Sequence, residues 1–148
     1  MSIVVWDGTT LATDRAATDG TTKWRATKAW RHTTDAGTPL ILSGVGPLQT
    51  ILAMKNWMVE GADQNRFPSA QLAPLFCHFL VVSPTGLIRY EQSPLPIDHH
   101  RCKCAFGEGA PFAYGAMAMG ASAAKAVEIA NQHSVYCGLG VDTYNLPI

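Results

Sequence analysis

The stretch Ser-Ile-Val-Val-Trp-Asp-Gly-Thr-Thr-Leu-Ala-Thr-Asp, Ser2–Asp14, decides the fold of this chain. Its first half, Ser2–Asp7, is rich in Ile, Val and Trp, as strands are. Asp7-Gly8 follows, and Asp-Gly is a strong two-residue hairpin signal because a type I′ turn needs positive φ at both positions. Thr9–Asp14 then returns as the second strand. The sequence therefore predicts that the N-terminus lies inside a sheet, which is an unusual place for a chain end.

Beyond this hairpin, strands and helices follow each other in separate groups. Apolar spacing and turn signals predict strands at Thr21–Arg31, Leu40–Ser43, Leu75–Val82, Leu87–Glu91 and Val135–Asn145. They predict one helix that begins after Pro47 and ends at Gly61, and two later helices that end near Met119 and His133, the second capped by Ser122. Gln92–Arg101 is predicted to be irregular. Such segregation favours an α+β layered fold over a parallel βαβ sheet. Without internal repeats or a linker, residues 1–148 are predicted to form a single domain.

Composition excludes several classes of protein. The 148 residues contain 11 basic and 11 acidic side chains, so the chain lacks the basic surface of a general nucleic-acid binder and gives no reason to expect a membrane partner. No apolar run approaches the roughly 20 residues of a membrane span. The N-terminus lacks a signal peptide, and four cysteines are too few for a disulfide scaffold, so a cytoplasmic protein is expected. Charged residues are only 15%. Either the core is unusually large, or, as we favour, apolar surface is buried between subunits.

The N-terminal residues offer a possible nucleophile. Removal of Met1 would expose the α-amine of Ser2, whose reference pKa of about 7.7–8.0 lets it accept the hydroxyl proton near neutral pH. Asp14 and Lys28 supply the carboxylate and the cation for such a site, and the Gly46 amide, just before a helix, suits an oxyanion hole. Each residue also has an ordinary interpretation: Ser2 as a residue that permits Met removal, Asp14 as a turn residue, and Lys28 as a solvated charge.

The chain resembles the proteasome β-subunit and HslV family of N-terminal nucleophile hydrolases, particularly its short bacterial and phage-borne members. The resemblance covers most of the chain and follows the family's order of motifs. The matching segments are Ser2–Val5 with Asp7-Gly8, Leu11–Asp14, Asp14–Thr18, Ala26–Ala29, Leu40–Gly46 and Ala105–Ala113. The last segment, which is similar to the family's Gly-Ser-Gly-x-Pro-Tyr/Phe-Ala motif, is the most specific match.

The resemblance implies a four-layer αββα sandwich and a peptidase that assembles as a homo-oligomeric ring. Ser2 would be the nucleophile, Lys28 would set the electrostatics, Asp14 would orient Lys28, and Gly46 would stabilise the oxyanion. The expected substrate is unfolded polypeptide, an unfolding ATPase is a possible partner, and no metal or organic cofactor is required.

The sequence departs from the family pattern at several positions. Ser2 stands where the family has Thr, Glu108 replaces the family's supporting Ser, the later Asp falls at Ser134 or His133, and its accompanying Ser falls near Cys137. These departures keep an alternative open, namely a catalytically inactive assembly protein with the same fold. A third and weaker interpretation is a metal-binding module at Asp98–Cys104, although the Cys102 and Cys104 spacing fits no common zinc pattern.

Overall fold

The computed structural model describes residues 2–68 and 77–147, and the fold of these residues is α+β. The strands are Val4–Trp6 (β1), Leu11–Asp14 (β2), Ala16–Thr18 (β3), Lys23–Arg25 (β4), Ala29–Thr33 (β5), Pro39–Val45 (β6), His78–Ser83 (β7), Gly86–Tyr90 (β8), Ile97–His100 (β9), Cys104–Phe106 (β10) and Val141–Tyr144 (β11). The helices are Leu48–Val59 (α1), Ala110–Ala118 (α2) and Ala123–His133 (α3), with a 3₁₀ turn at Gln64–Arg66.

Contacts group the chain into two compact units. The first contains the residues up to Lys28 together with Arg101–Asn145, and the second contains Ala29–His100 with the residues from Leu146 onward. The prediction that residues 1–148 form a single domain depends on how these units combine, and it stays a prediction. The four-layer sandwich also stays a prediction.

The first unit is built on an antiparallel sheet with the strand order β10-β1-β2-β11, and a two-stranded ribbon, β3-β4, belongs to the same unit. Val4 pairs with Thr13 on one side and with Phe106 on the other, so β1 is an inner strand. Alternate residues of the sheet, including Ile3, Val5 and Ala12, form one buried cluster with α2 and α3. The prediction that the N-terminus lies within a sheet is confirmed.

The first hairpin differs from the prediction in its turn. Its loop has four residues, Asp7–Thr10, rather than two, and the Asp7 N–H donates to the Thr10 carbonyl at 3.2 Å. Asp7 Oδ1 accepts the N–H groups of Thr9 and Thr10 at 3.0 and 2.8 Å, and Asp7 Oδ2 accepts the N–H of Ala123 at 2.9 Å. The Asp7 carboxylate therefore closes the loop and also binds the start of α3.

The second unit is a five-stranded antiparallel sheet in the order β5-β6-β7-β8-β9 with α1 on one face. Ile51, Met54 and Trp57 of α1 pack against buried residues of β6 and β7, including Leu42 and Phe79. Along this sheet the predicted strands at Leu40–Ser43 and Leu87–Glu91 are confirmed. The predicted strand Leu75–Val82 is confirmed from His78, while residues 75 and 76 lie outside the described residues.

Three predictions of secondary structure were wrong. Gln92–Arg101 contains an edge strand, β9, whose pattern is obscured by Pro94 and Pro96 and by a register shift opposite Leu87 and Ile88. Thr21–Arg31 is not one strand, because it splits into β4 and β5, which belong to different units. The final strand is only β11, since Gly138, Leu139 and Gly140 all have positive φ and cannot continue a strand.

The helices fit their sequence signals. α1 begins after Pro47, α2 carries Pro111 in its first turn, and the Ser122 hydroxyl accepts the Lys125 N–H at the start of α3. Within the described residues, no helix has both the length and the apolar character needed to cross a membrane.

We expect Gly44→Ala to destabilise the second unit. A Cβ at Gly44 would lie 2.9 Å from the His78 carbonyl oxygen and 3.1 Å from Ile51 Cγ1, so β6 and α1 would have to separate. Overpacking of this kind costs about 1–3 kcal/mol. The measurement is the free energy of unfolding in urea.

Gly115→Ala is the matched control for that substitution. Gly115 lies inside α2 and a Cβ there would meet nothing within 4 Å. Helix propensity alone then predicts stabilisation by about 0.5–1 kcal/mol. Equal destabilisation by both substitutions would contradict the packing argument at Gly44.

Candidate active site

Ser2 is held immediately before β1 and is only 3% exposed. Its Oγ donates to the Ala16 carbonyl at 2.9 Å, and its own carbonyl accepts the Gly109 N–H at 3.3 Å. Its φ is 82°, in the left-handed region that residues other than glycine rarely adopt. The backbone and hydroxyl of Ser2 are thus fixed by two different parts of the first unit.

Asp14 is completely buried at the end of β2. Its Oδ1 binds the Lys28 ammonium at 2.5 Å and accepts the Ile3 N–H at 3.4 Å, while its Oδ2 accepts the Gly138 N–H at 3.1 Å. One carboxylate therefore joins the N-terminal strand, Lys28 and the loop that follows α3.

Lys28 lies in the short segment between β4 and β5, where its side chain reaches Asp14 and is 9% exposed. Because the segment 26–28 leaves the ribbon before the next strand begins, Lys28 turns inward instead of projecting to solvent as a strand residue would. The ordinary interpretation of Lys28 as a solvated charge does not apply.

Burial dominates the electrostatics of the pair. Desolvation raises the pKa of the Asp14 carboxyl above its usual value, although the Lys28 charge and the hydrogen bonds oppose that rise. Desolvation likewise lowers the pKa of the Lys28 ammonium against the attraction of Asp14. Each charge therefore depends on the other.

The remaining predicted site residues have distinct positions. Gly46 lies between β6 and the start of α1 with φ 126°, a conformation that favours glycine, and it belongs to the second unit. Its role stays a prediction. Glu108 is exposed and precedes Gly109, so it is next to the residue that binds the Ser2 carbonyl. Ser134 follows α3, and its hydroxyl accepts the Tyr136 N–H at 3.3 Å.

The sequence analysis missed one residue of this cluster. Gly138 donates its N–H to Asp14 and its carbonyl accepts the Arg15 N–H at 3.0 Å, yet the sequence pattern predicts it as part of a strand. The neighbouring Cys137 is buried, and burial raises the pKa of its thiol. The signal that could have revealed the loop is Gly138-Leu139-Gly140, since two glycines so close together are typical of a turn rather than a strand.

The possible metal cluster near Asp98–Cys104 is not supported. Cys102 is exposed and Cys104 is buried. Among residues 2–68 and 77–147, no three His, Cys, Asp or Glu side chains are placed to hold a metal ion.

Comparison with known proteins identifies the fold. No sequence model of a protein family matches the chain, and no curated protein matches it in sequence. Among solved structures, the chain is similar to eukaryotic HslV from Trypanosoma brucei, with a TM-score of 0.65 and 22% identity over 97% of each chain. It is similar to Thiobacillus denitrificans BPH in complex with epoxomicin, with a TM-score of 0.73 and 17% identity over 99% of this chain and 98% of that one.

A third similar structure is Anbu, described as an ancestral β-subunit, from Yersinia bercovieri. The TM-score is 0.72 and the identity 11%, over 99% of this chain and 82% of that one. The chain thus has the fold shared by these proteins. At the level of the fold, the resemblance to the proteasome β-subunit and HslV family is confirmed.

A double-mutant cycle tests the buried pair. We expect Asp14→Asn and Lys28→Met each to lower the free energy of unfolding by about 3–5 kcal/mol, because each leaves a buried charge without its partner. The free energy of unfolding of the double variant, measured by urea denaturation at pH 7, should fall by much less than the sum of the two single losses. Additive losses would show that the two side chains do not depend on each other.

The same cycle has a defined pH dependence. In Lys28→Met the folded pKa of the Asp14 carboxyl lies further above its ordinary value, so the variant loses stability as the pH rises through that folded pKa. The cost of Lys28→Met relative to wild type should therefore be smaller at pH 4.5 than at pH 7. A cost that does not change with pH would contradict this assignment.

Proposed function

We propose that this chain hydrolyses peptide bonds with Ser2 as the nucleophile. The observation that carries the proposal is that the Ser2 hydroxyl binds the Ala16 carbonyl of β3, while the next residue, Ile3, donates its N–H to the carboxylate of the buried Asp14–Lys28 pair. The Arg15 carbonyl accepts the Ala26 N–H at 2.9 Å and so points toward β4. Because backbone groups alternate along a strand, the Ala16 carbonyl, which binds Ser2 Oγ, points to the other edge of β3.

That edge is suited to an extended peptide. Within the described residues, β3 pairs with β4 alone, so its second edge has no strand partner. An extended substrate can add to such an edge through main-chain hydrogen bonds. Its carbonyl groups would then run past Ser2.

The chemistry follows from removal of Met1. Ser2 Oγ attacks the substrate carbonyl carbon while its proton moves to the neutral α-amine of Ser2, and the carbonyl oxygen becomes an oxyanion. Stabilising that oxyanion is the role that the resemblance implies for the Gly46 N–H. The C–N bond then breaks, and the leaving amine takes the proton back from the α-ammonium. Water, activated by the same amine, hydrolyses the acyl ester and regenerates Ser2. Lys28, oriented by Asp14, holds positive charge beside the hydroxyl throughout.

Assembly and substrate range complete the proposal. Large apolar side chains are exposed on and near α2 and in the loop after α3, namely Phe112, Tyr114, Met119, Val135, Tyr136 and Leu139. Exposed apolar surface of this kind suits contact with further subunits, in agreement with the low charged fraction. The proposal therefore includes the homo-oligomeric ring, unfolded polypeptide as substrate and an unfolding ATPase as partner. It also includes the four-layer sandwich, because consecutive residues of the strands β1, β2, β6 and β7, which face opposite sides of their sheets, are buried.

The alternative function is an inactive assembly protein. Two observations favour it. Ser2 is only 3% exposed, and its hydroxyl proton, which must move to the α-amine in catalysis, is donated to the Ala16 carbonyl instead. Intact mass separates the two functions, since only loss of Met1 gives Ser2 a free amine.

We expect the intact mass of the purified chain to show that Met1 is absent, and we expect this chain to cleave fluorogenic peptides. Ser2→Ala should reduce kcat/KM by at least about 10³-fold, because it removes the nucleophile. Ser122→Ala is the matched control, because it removes a helix cap at a cost of about 1 kcal/mol in stability and no catalytic group. Cleavage that survives Ser2→Ala would refute the role of Ser2. A retained Met1 without cleavage would establish the assembly protein.

A further inference from the structure

We infer that Arg15 and Asp142 are positioning residues for the proposed reaction. Their contact fixes the loop of residues 138–140, and this loop in turn orients the Asp14 carboxylate. The inference rests on the proposed function, because the orientation of Asp14 matters for catalysis only if the chain is a hydrolase with an N-terminal nucleophile.

The loop of residues 138–140 needs support from its neighbours. Leu139 and Gly140 have φ of 63° and 109°, in the left-handed region. A glycine loses more conformational freedom on folding than any other residue, and this loop contains two glycines. Leu139 is 47% exposed, so burial of its side chain does little to fix the loop. Bonds from outside the loop must therefore keep it in one conformation.

The Arg15 guanidinium supplies such bonds. Its Nε and Nη2 lie 2.8 and 2.7 Å from Asp142 Oδ1, and Nη2 also donates to the Val141 carbonyl at 3.1 Å. A Cβ added to Gly140 would lie only 2.8 Å from Arg15 Nη1, so the guanidinium lies directly against the loop backbone. A planar group with several fixed donors can make all of these contacts at once, and Asp142 sets its orientation.

The main chain of Arg15 extends this support to the buried carboxylate. The Arg15 N–H donates to the Gly138 carbonyl at 3.0 Å, and the Gly138 N–H donates to Asp14 Oδ2 at 3.1 Å. Arg15 therefore contacts the loop at both ends, through its backbone at Gly138 and through its side chain at Gly140. If the loop moved, the buried Asp14 oxygen would lose its donor, which is costly for a charged group.

The geometry of the Arg15–Asp142 contact matters more than its charge. The two side chains are 29% and 30% exposed, so solvent screens their attraction. Asp142→Asn keeps an oxygen that can accept from the guanidinium, whereas Asp142→Ala removes the acceptor. These two substitutions therefore separate the loss of orientation from the loss of charge.

The first test is kinetic and uses the processed chain with a fluorogenic peptide. We expect Arg15→Met and Asp142→Ala each to lower kcat about tenfold, which is less than the roughly 10²-fold cost of a 1 Å misplacement. The effect is limited because Asn131 Nδ2 donates to the Gly140 carbonyl at 3.1 Å and still restrains the loop. KM should change by less than about twofold, because the substitutions act on Asp14 rather than on the bound peptide. The double variant should lose no more than either single variant, because both break one contact.

Two further variants control for general destabilisation. Asp142→Asn should retain about half or more of the wild-type kcat, because the acceptor oxygen remains. Arg101→Met is the matched arginine variant, since Arg101 Nη1 donates to the Gly8 carbonyl at 3.0 Å, at the other end of β1 from Ser2. It should leave kcat within about twofold of wild type, because it breaks a similar bond at a distant site.

Two kinetic outcomes would overturn the inference. One is an equal loss of kcat in Arg15→Met and Arg101→Met, which would assign the effect to stability alone. The other is an unchanged kcat in Arg15→Met when wild type is active.

Hydrogen exchange keeps this inference separate from the proposed function. The exchange rate of the Gly138 amide, isolated by overlapping peptide fragments in mass spectrometry, reports its bond to Asp14 and needs no catalysis. We expect Arg15→Met and Asp142→Ala to raise that rate about tenfold, and Arg101→Met to leave it unchanged. If wild type cleaves no peptide, the proposed function fails, yet faster exchange in the first two variants still supports the positioning of Asp14. An unchanged rate in both would overturn the inference even where cleavage is observed.

Discussion

The buried contact between Asp14 and Lys28 organises the first unit of this fold. One carboxylate binds the ammonium, the Ile3 N–H of the first strand and the Gly138 N–H of a distant loop. A buried carboxylate is tolerated only when it is paired and hydrogen-bonded, so these three segments must meet around it. The position of Ser2 follows, because Ile3 is the next residue in the chain.

The sequence was sufficient to predict whatever depends on local patterns. The first hairpin, α1 and the capped start of α3 all have signals within a few neighbouring positions. The arrangement around Asp14 has no such signal. Gly138 reaches Asp14 from 124 residues away, and β9 forms because β8 offers it an edge despite a poor strand pattern. Tertiary pairing decided these features, which local propensity does not encode.

The β3-β4 ribbon shows how a small element can carry much of the site. Its three residue pairs place the carbonyl that binds Ser2 on an edge that, among the described residues, has no strand partner. Lys28 follows the ribbon within three residues of Arg25, where the chain leaves for the next strand. The mistaken prediction of one long strand at Thr21–Arg31 concealed this, since a continuous strand would have pointed Lys28 to solvent and joined the ribbon to the five-stranded sheet.

The inner position of β1 has a consequence for synthesis. β1 is synthesised about one hundred residues before β10, one of its two partners, with Val4 opposite Phe106. Contacts so distant in the chain form late in folding. Until then β1 pairs at most with β2, and Ser2 lacks the Gly109 bond that later holds it. Ser2 is therefore least enclosed before β10 is made, and under the proposed function that interval is the one that suits removal of Met1.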